Sequence, residues 1–245
     1  MSNQTALLRA DEHFKDPDFP LMIAAREPQP EFERHKHQFT ELLIITEGSA
    51  VHLIDSSVYP IKKGDVFIIN QQREHQFVKL KGLSLINIIF DYKGLNMSSW
   101  RLDELSGFRT LYHLEPEYRV NHHFESRLNL SENELQRAHM ILNSLKLELI
   151  GDRAGFKSAS LSLFFQLMVF LSRCYEKSPN PHSLALLNIA RAISYLELNY
   201  KKEIDYGILS DIARMSQRNF QRVFKRTMNC TAREYLLNLR LECSR

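Results

Sequence analysis

The hydrophobic residues change their spacing about halfway along this 245-residue chain. Before residue 130 they form short runs broken by turn residues, such as FTELLIIT, AVHLI, VYPI and VFII, which is typical of antiparallel strands. From Ser131 onward they recur every three or four residues, which is typical of amphipathic helices. The sequence therefore predicts an α+β, multidomain protein with its strands first and its helices last.

The first region, residues 1–125, predicts an antiparallel β-barrel, because its strands are short and follow one another at close intervals. The segments EGS, DSS, KKGD and NQQRE are expected to be the turns between these strands. His122 and His123 fall in a loop-like stretch and are expected at the surface.

Residues 126–178 predict two antiparallel helices. The first begins with a capping box, in which Ser131 is followed three residues later by Glu134, and it ends at Gly151. The second, FKSASLSLFFQLMVFLSRCYEK, is apolar over most of its circumference and needs a close partner. The pair could be pure core, but we favour a homodimer contact. The prolines of SPNP predict a linker at 179–183.

The last region, residues 184–245, predicts shorter helices with recognisable caps. Asp205 and Ser216 occupy N-cap positions, and Thr231 with Glu234 forms a second capping box. Two short helices meet at the segment Arg214-Met215-Ser216. This tight junction has the outline of a helix-turn-helix.

The second helix of this junction has two different faces. Phe220, Val223 and Phe224 are three or four residues apart and predict a buried side. A solvated basic surface is the simplest interpretation of the other side, but no acidic residue occurs between Ser216 and Arg226. Guanidinium and amide groups can contact base edges, and cations can contact phosphates, so we predict binding to double-stranded DNA. The candidate DNA-binding residues are Ser216, Arg218, Gln221, Arg222, Lys225 and Arg226.

Charge and composition agree with this prediction. From Ser183 onward there are 11 Lys and Arg against 6 Asp and Glu, whereas the rest of the chain is slightly acidic. The basic end is where a polyanion would bind. The three cysteines show no metal-site or disulfide spacing, and no segment is typical of a signal peptide or a membrane span. We expect a cytoplasmic protein without membrane contact.

The segment ILSDIARMSQRNFQRVFKRTMNCTAREYLLNLRLE resembles the first half of the DNA-binding domain of AraC/XylS-family transcriptional regulators. The resemblance implies that Arg218, Gln221 and Arg222 read bases. Asn229 replaces the usual glycine, which is tolerable because asparagine also adopts left-handed backbone conformations. The family has two helix-turn-helix units, and this chain ends within the helix that joins them, so we expect a truncated domain that binds DNA weakly.

The segment HKHQFTELLIITEG places His35, His37 and Glu41 on one face of an extended strand. Its spacing is similar to the first motif of the jelly-roll-like cupin β-barrel family. GDVFIINQQREH is similar to the second motif at Gly64 and His75, but Asn70 and Gln72 stand where proline and glycine are usual. The resemblance implies a set of three histidines and one glutamate, suited to Mn, Fe, Ni, Cu or Zn.

The combined prediction is a ligand-responsive, sequence-specific DNA-binding regulator and not an enzyme. A small-molecule effector, such as a sugar, is expected to bind His35, His37, Glu41 and His75, because regulators of this type use the barrel as a receptor. A divalent transition metal on the same four residues is the less favoured reading. The rival functions are a metal-dependent cupin oxygenase or isomerase, and a dimerising fragment that does not bind DNA.

Overall fold

The computed structural model describes residues 5–117, 128–151, 153–177 and 180–243. The predicted α+β architecture is confirmed, because the strands occupy the first half of the chain and helices make up most of the second. His122 and His123 lie outside the described residues.

Eight strands of the described residues form one sheet. They are β1 Ala6–Leu8, β2 Leu21–Arg26, β3 His35–His37, β4 Thr40–Ile54, β5 Ser57–Lys62, β6 Asp65–Ile69, β7 His75–Phe90 and β8 Leu128–Asn129. The main hydrogen-bonded order is β1-β3-β7-β4-β6-β8, with β2 also on β7 and β5 also on β4. The predicted barrel is therefore wrong in two respects, since the sheet does not close within the described residues and β1 pairs with β3 in parallel.

The long strands β4 and β7 fold this sheet into two halves. Residues 40–45 of β4 and 85–90 of β7 pair with β6 and β2 in one half, which we call the helix-side half. Residues 51–54 of β4 and 75–78 of β7 pair with β5 and β3 in the other, the outer half. Strands β4 and β7 thus connect the two halves, in place of the closed barrel that the sequence predicted.

The turn predicted at EGS is also wrong, because β4 continues through residues 47–49 with shifts in its register on β7. Gly48 has a φ of 71°, and a Cβ atom there would lie 2.2 Å from the carbonyl oxygen of Gly82. Only glycine permits this backbone conformation together with this close approach. The glycine pair lets both strands bend between the two halves of the sheet.

The helices of the second half of the chain follow the predicted boundaries closely, whereas two short helices in the first half were not predicted. The helices are α1 Ala10–His13, α2 Ser106–Phe108, α3 Glu132–Gly151, α4 Phe156–Glu176, α5 Pro181–Asn199, α6 Tyr206–Ile212, α7 Gln217–Met228 and α8 Ala232–Glu242. A π-helical turn, Arg109–Leu114, extends α2. The predicted caps at Asp205, Ser216 and Thr231 all form.

Helix α5 corrects the predicted linker at 179–183. It begins at Pro181, and the side chain of Asn180 caps it by accepting from the backbone N–H of His182 at 2.9 Å. Proline suits the first turn of a helix because its missing N–H would have no partner there. Residues 181–183 are therefore helical.

Two large apolar clusters hold the molecule together. The first joins the helix-side half of the sheet to α3 and α4, and includes Leu42, Ile88 and Phe164. The second is formed mainly by α5 to α8, and includes Leu196 and Phe224. Among the described residues, none of the helices is both long and apolar enough to cross a membrane.

Candidate functional site

A cluster of polar side chains lies inside the folded sheet. On β4, Leu42 and Ile44 pack toward the helices, whereas Leu43 and Ile45 face the space between the two halves. Glu41 shares the second orientation, because alternate residues of a strand point to the same face. It lies buried there, with 3% of its surface exposed.

Three strands bring the predicted residues together. His35 and His37 lie on β3, Glu41 on β4 and His75 on β7, where His75 is the direct partner of His35 in the ladder. His37 Nε2 is 3.6 Å and His75 Nε2 is 3.5 Å from the same carboxylate oxygen, Glu41 Oε2. Both nitrogens are buried and have no hydrogen-bond partner.

His35 lies beside this group and is not part of it. The ligand atoms of His37, Glu41 and His75 all lie within 4.8 Å of one another, and only these three form such a group in the described part of the chain. The ring of His35 is centred 4.2 Å from that of His75, and its Nδ1 donates to the carbonyl oxygen of Glu33 at 2.9 Å. We call His37, Glu41 and His75 the buried triad.

Two further residues of the cluster were missed by the sequence analysis. His52 Nε2 is 3.3 Å from His75 Nδ1, and the Asn87 amide donates to Glu41 Oε1 at 3.1 Å. His52 lies at an even position of β4, whereas Glu41 lies at an odd one. The register shifts near Gly48 change which alternate residues face inward, so parity counted along the sequence could not find His52.

Burial sets the protonation of the buried triad. Removal from water lowers the pKa of His37 to about 4 and that of His75 well below its ordinary value, and it raises the pKa of Glu41. Both imidazoles are therefore neutral near pH 7 and present lone pairs. Neutral imidazole nitrogens beside one carboxylate also form a donor set that fits a divalent transition metal.

The second candidate site is the exposed face of α7. Its buried side, Phe220, Val223 and Phe224, packs within the C-terminal core, as predicted. Its exposed side carries every charged or amide residue predicted to contact DNA, listed as Arg218, Gln221, Arg222, Lys225 and Arg226. Ser216 caps the helix by accepting from the backbone N–H of Asn219 at 3.4 Å. We call this exposed side the basic face.

The basic face borders a groove of about 750 Å³ between α7 and the first turn of α8. Tyr206, Gln217 and Arg233 also line it and were missed by the sequence analysis. Arg222 donates to the side-chain oxygen of Asn219 at 2.8 Å, which holds its guanidinium along the helix. Tyr206 and Arg233 come from neighbouring helices, so the spacing within α7 carried no information about them.

Comparison with known proteins shows similarity to a ligand binding domain and to transcription activators. Residues 21–101 match the AraC-like ligand binding domain. The chain is 27% identical over 237 residues to the HTH-type transcriptional activator RhaS of Pectobacterium atrosepticum, covering 96% of this chain and 80% of that protein. It is 24% identical over 242 residues to the activator RhaR of Mannheimia succiniciproducens, covering 97% and 81%.

Among solved structures, the AraC-like transcriptional activator CuxR aligns with a TM-score of 0.35 and 13% identity, covering 84% of this chain and 67% of that one. The two curated relatives are transcription activators and not enzymes. Residues 21–101 thus resemble an AraC-like ligand binding domain, and the similarity to the two activators extends over nearly the whole chain. The function of the chain is that of a ligand-responsive, DNA-binding regulator.

Proposed function

We propose that α7 reads the sequence of double-stranded DNA through the basic face. The observation that carries this proposal is the single stripe formed by Arg218, Gln221, Arg222 and Lys225, all exposed on the second helix of a helix-turn-helix. In such motifs this helix enters the major groove. Arg218, Gln221 and Arg222 would contact base edges, and Ser216, Lys225 and Arg226 would contact phosphates.

Selection of bound duplexes from a random library, followed by anisotropy titrations, tests the DNA proposal. We expect an enriched motif and an affinity that falls as salt rises. Lys146→Ala, which removes an exposed cation from α3, is the matched control and should bind like the parent protein. A library without any enriched motif would contradict base reading.

For the sensing site, we propose a small polar effector, such as a sugar or sugar derivative, bound beside His35 and the buried triad. The support is chemical, since the Nε2 atoms of His37 and His75 are buried polar atoms without a hydrogen-bond partner. A hydroxyl group would satisfy such atoms. His35 is the most exposed member at 8%, and its ring contacts that of exposed Phe32 at 4.7 Å, so entry from that end is favoured.

Calorimetry with a panel of sugars and metabolites tests the effector proposal. The double variant His37→Ala, Glu41→Ala should abolish any binding found with the parent protein. Lys36→Ala is the control, because Lys36 lies between the two histidines of β3 and its side chain points away from the buried triad. Unchanged binding by the double variant would place the effector elsewhere.

A metal is the second candidate occupant of this site, and the short distances within the buried triad favour it. His37, Glu41 and His75 would hold the ion, and its role would be to shape the sensor. Elemental analysis of purified protein tests this. One metal per chain, lost in the variant His75→Ala, would support it, and a metal content far below one per chain would contradict it.

We further propose a homodimer formed through α3. Met140, Leu147 and Ile150 are 64–70% exposed and lie seven and three residues apart, along one stripe of the helix. Apolar residues at this spacing are typical of contacts between two helices. The opposite side of α3 already packs on the sheet and α4, so the free stripe suits a second copy related by two-fold symmetry.

Analytical ultracentrifugation tests the dimer. The variant Leu147→Glu places a charge in the stripe and should yield a monomer. Lys146→Glu introduces the same side chain one residue away, outside the stripe, and should remain dimeric. Equal dimer content in the two variants would contradict the proposed contact.

A further inference from the structure

An ion pair joins the segment that follows the sheet to the helices of the DNA-binding region. Arg109, in the π-helical turn, donates from Nη1 to Glu197 Oε1 at 3.0 Å and from Nη2 to Glu197 Oε2 at 2.5 Å. Glu197 lies on α5. The hydroxyl of Tyr235, on α8, donates to Glu197 Oε1 at 2.7 Å. We call Arg109, Glu197 and Tyr235 the coupling contact.

The geometry of the coupling contact is that of a strong interaction. The two parallel hydrogen bonds between the guanidinium and the carboxylate fix both distance and orientation. The Arg109 side chain is only 11% exposed and that of Glu197 30%, so solvent screens the pair less than it would at the surface. Burial and the hydrogen bond to Glu197 raise the pKa of Tyr235, so its hydroxyl remains a donor.

The same segment is anchored to the end of the sheet. Arg109 Nη2 also donates to the backbone oxygen of Asp103 at 3.2 Å. The side chain of Asp103 accepts from the hydroxyl of Tyr92 at 3.2 Å and pairs with His113 Nε2 at 3.0 Å. Tyr92 lies two residues after the end of β7, the strand that carries His75. A polar chain therefore runs from the sheet to α8.

The apolar contacts follow the same path. Phe108, Leu111 and Tyr112 belong to the core beneath the sheet, whereas Leu114, in the same π-helical turn, belongs to the core of the C-terminal helices. π-helical turns are rare in proteins, and those that do occur often lie at functional sites. Residues 106–114 thus contribute to both cores, and the coupling contact lies where the two meet.

We propose that the coupling contact transmits the state of the sensing sheet to α8, with Arg109, Glu197 and Tyr235 as positioning residues that belong to neither binding site. This inference rests on the proposed function, since it assigns the link between effector and DNA. A displacement at the end of β7 would move Asp103 and Arg109, and Glu197 would carry that movement to α5 and α8. The basic face of α7 is exposed, so the link acts by orientation and not by covering that face.

Urea unfolding of the full chain tests the coupling without DNA or effector. Trp100 is the single tryptophan and packs beside Phe164 in the core beneath the sheet, so its fluorescence reports on the sensing part. Hydrogen exchange of the α8 amides at each urea concentration reports on the DNA-binding part. In the parent protein both signals should change at the same midpoint, as one cooperative unit.

Glu197→Gln and Tyr235→Phe should separate the two midpoints, with α8 losing protection first. Arg109→Lys keeps the charge but not the paired hydrogen bonds, and should give a smaller separation. Glu104→Gln is the control, because it breaks the exposed pair of Glu104 with Arg101 in the same segment. It should leave the midpoints together.

A purely local structural role would lower both midpoints equally, and coincident midpoints in both Glu197→Gln and Tyr235→Phe would overturn the inference. Separate midpoints in the parent protein would also overturn it. Tyr235→Phe removes one hydroxyl only, so it remains informative if Glu197→Gln does not fold. A parallel DNA titration keeps the two proposals distinct, because absent DNA binding with coupled midpoints contradicts only the proposed function.

Discussion

The buried triad and the basic face are both polar, but water reaches only one of them. His37 and His75 are at most 2% exposed, and burial lowers their pKa values so that they carry no charge near pH 7. Arg218 and Arg222 are exposed to solvent. The first arrangement suits selection of a small ligand by shape and hydrogen bonding, and the second suits attraction of a polyanion.

The difference extends to what each site contributes to stability. A buried polar group costs free energy unless it is paired, so changes in the triad are felt by the whole fold. Exposed arginines can be removed at little cost to folding. Substitutions at the basic face should therefore change binding without changing stability, whereas substitutions in the buried triad should change both.

The largest expected effect lies on the hidden side of α7. Phe224 is fully buried and its ring contacts those of Phe220 and Tyr235. Phe224→Ala should lower the free energy of unfolding by about 3–5 kcal/mol, because it removes a large side chain and leaves a cavity. Urea denaturation measures this. Arg222→Ala, on the opposite side, should stay within about 0.5 kcal/mol of the parent, and equal losses would refute the two-faced helix.

The next effect is a loss of stability in acid that arises from the buried triad. The pKa of His37 is near 4 in the folded protein and 6.5 in its ordinary state, so between these values the unfolded chain binds more protons. Stability should fall as the pH drops from 6.5 to 4, by about 3 kcal/mol from this residue. Glu41 acts in the opposite sense, because its raised pKa favours the folded state as pH falls.

This pH dependence is measured by urea denaturation in the presence of a chelator. His37→Gln removes one titrating imidazole and should make the profile between pH 6.5 and 4 less steep, with the remaining loss of stability coming from His75, whose pKa burial also lowers. Lys36→Gln, its neighbour on β3, should leave the profile unchanged. If the parent protein and His37→Gln lose the same stability over this range, His37 is not buried in its neutral form.

The sequence predicted the basic face more completely than the buried triad. Helical periodicity is local, so the positions of Phe220, Phe224 and Arg222 followed from spacing alone. The capping residues Ser216 and Thr231 were found in the same way. The groove residues Tyr206 and Arg233 come from other helices, and their approach to α7 depends on tertiary packing.

For the buried triad, strand parity placed His35, His37 and Glu41 on one face, and the family resemblance added His75. What could not be predicted was the bend near Gly48, which depends on the approach of Gly82 from a distant strand. That bend brings His52 into the cluster, and the sharing of β4 and β7 between two halves replaces the predicted closed barrel.

A smaller effect on stability is expected from removing one hydrogen bond beside the buried triad, compared with removing one on α7 at the surface. Asn87 donates to buried Glu41, and Asn87→Ala should cost about 1–3 kcal/mol of stability because it deprives a buried carboxyl group of its partner. Asn219 makes a hydrogen bond of similar length to Arg222 at the surface. Asn219→Ala should change stability by less than about 0.5 kcal/mol. Thermal denaturation of both variants measures the difference in stability loss. Equal losses of stability in Asn87→Ala and Asn219→Ala would contradict the prediction.

The smallest expected effect belongs to the proposed phosphate contact of Lys225 on the basic face. Lys225→Ala should weaken binding to every duplex alike, by less than about 1 kcal/mol, and lower the slope of log affinity against log salt by about 0.9. Anisotropy titrations at several salt concentrations measure this. A loss confined to one base pair of the selected motif would instead assign Lys225 to base reading.

Base reading by the basic face is tested most directly with Gln221→Ala and Arg222→Ala. Their affinities are measured on the selected motif and on a set of single base-pair changes, beside Lys225→Ala. The account predicts that each of the two loses about 1–3 kcal/mol on the motif and loses discrimination at one base pair, whereas Lys225→Ala keeps every preference. Uniform losses across all duplexes for all three variants would show that α7 binds DNA without reading it.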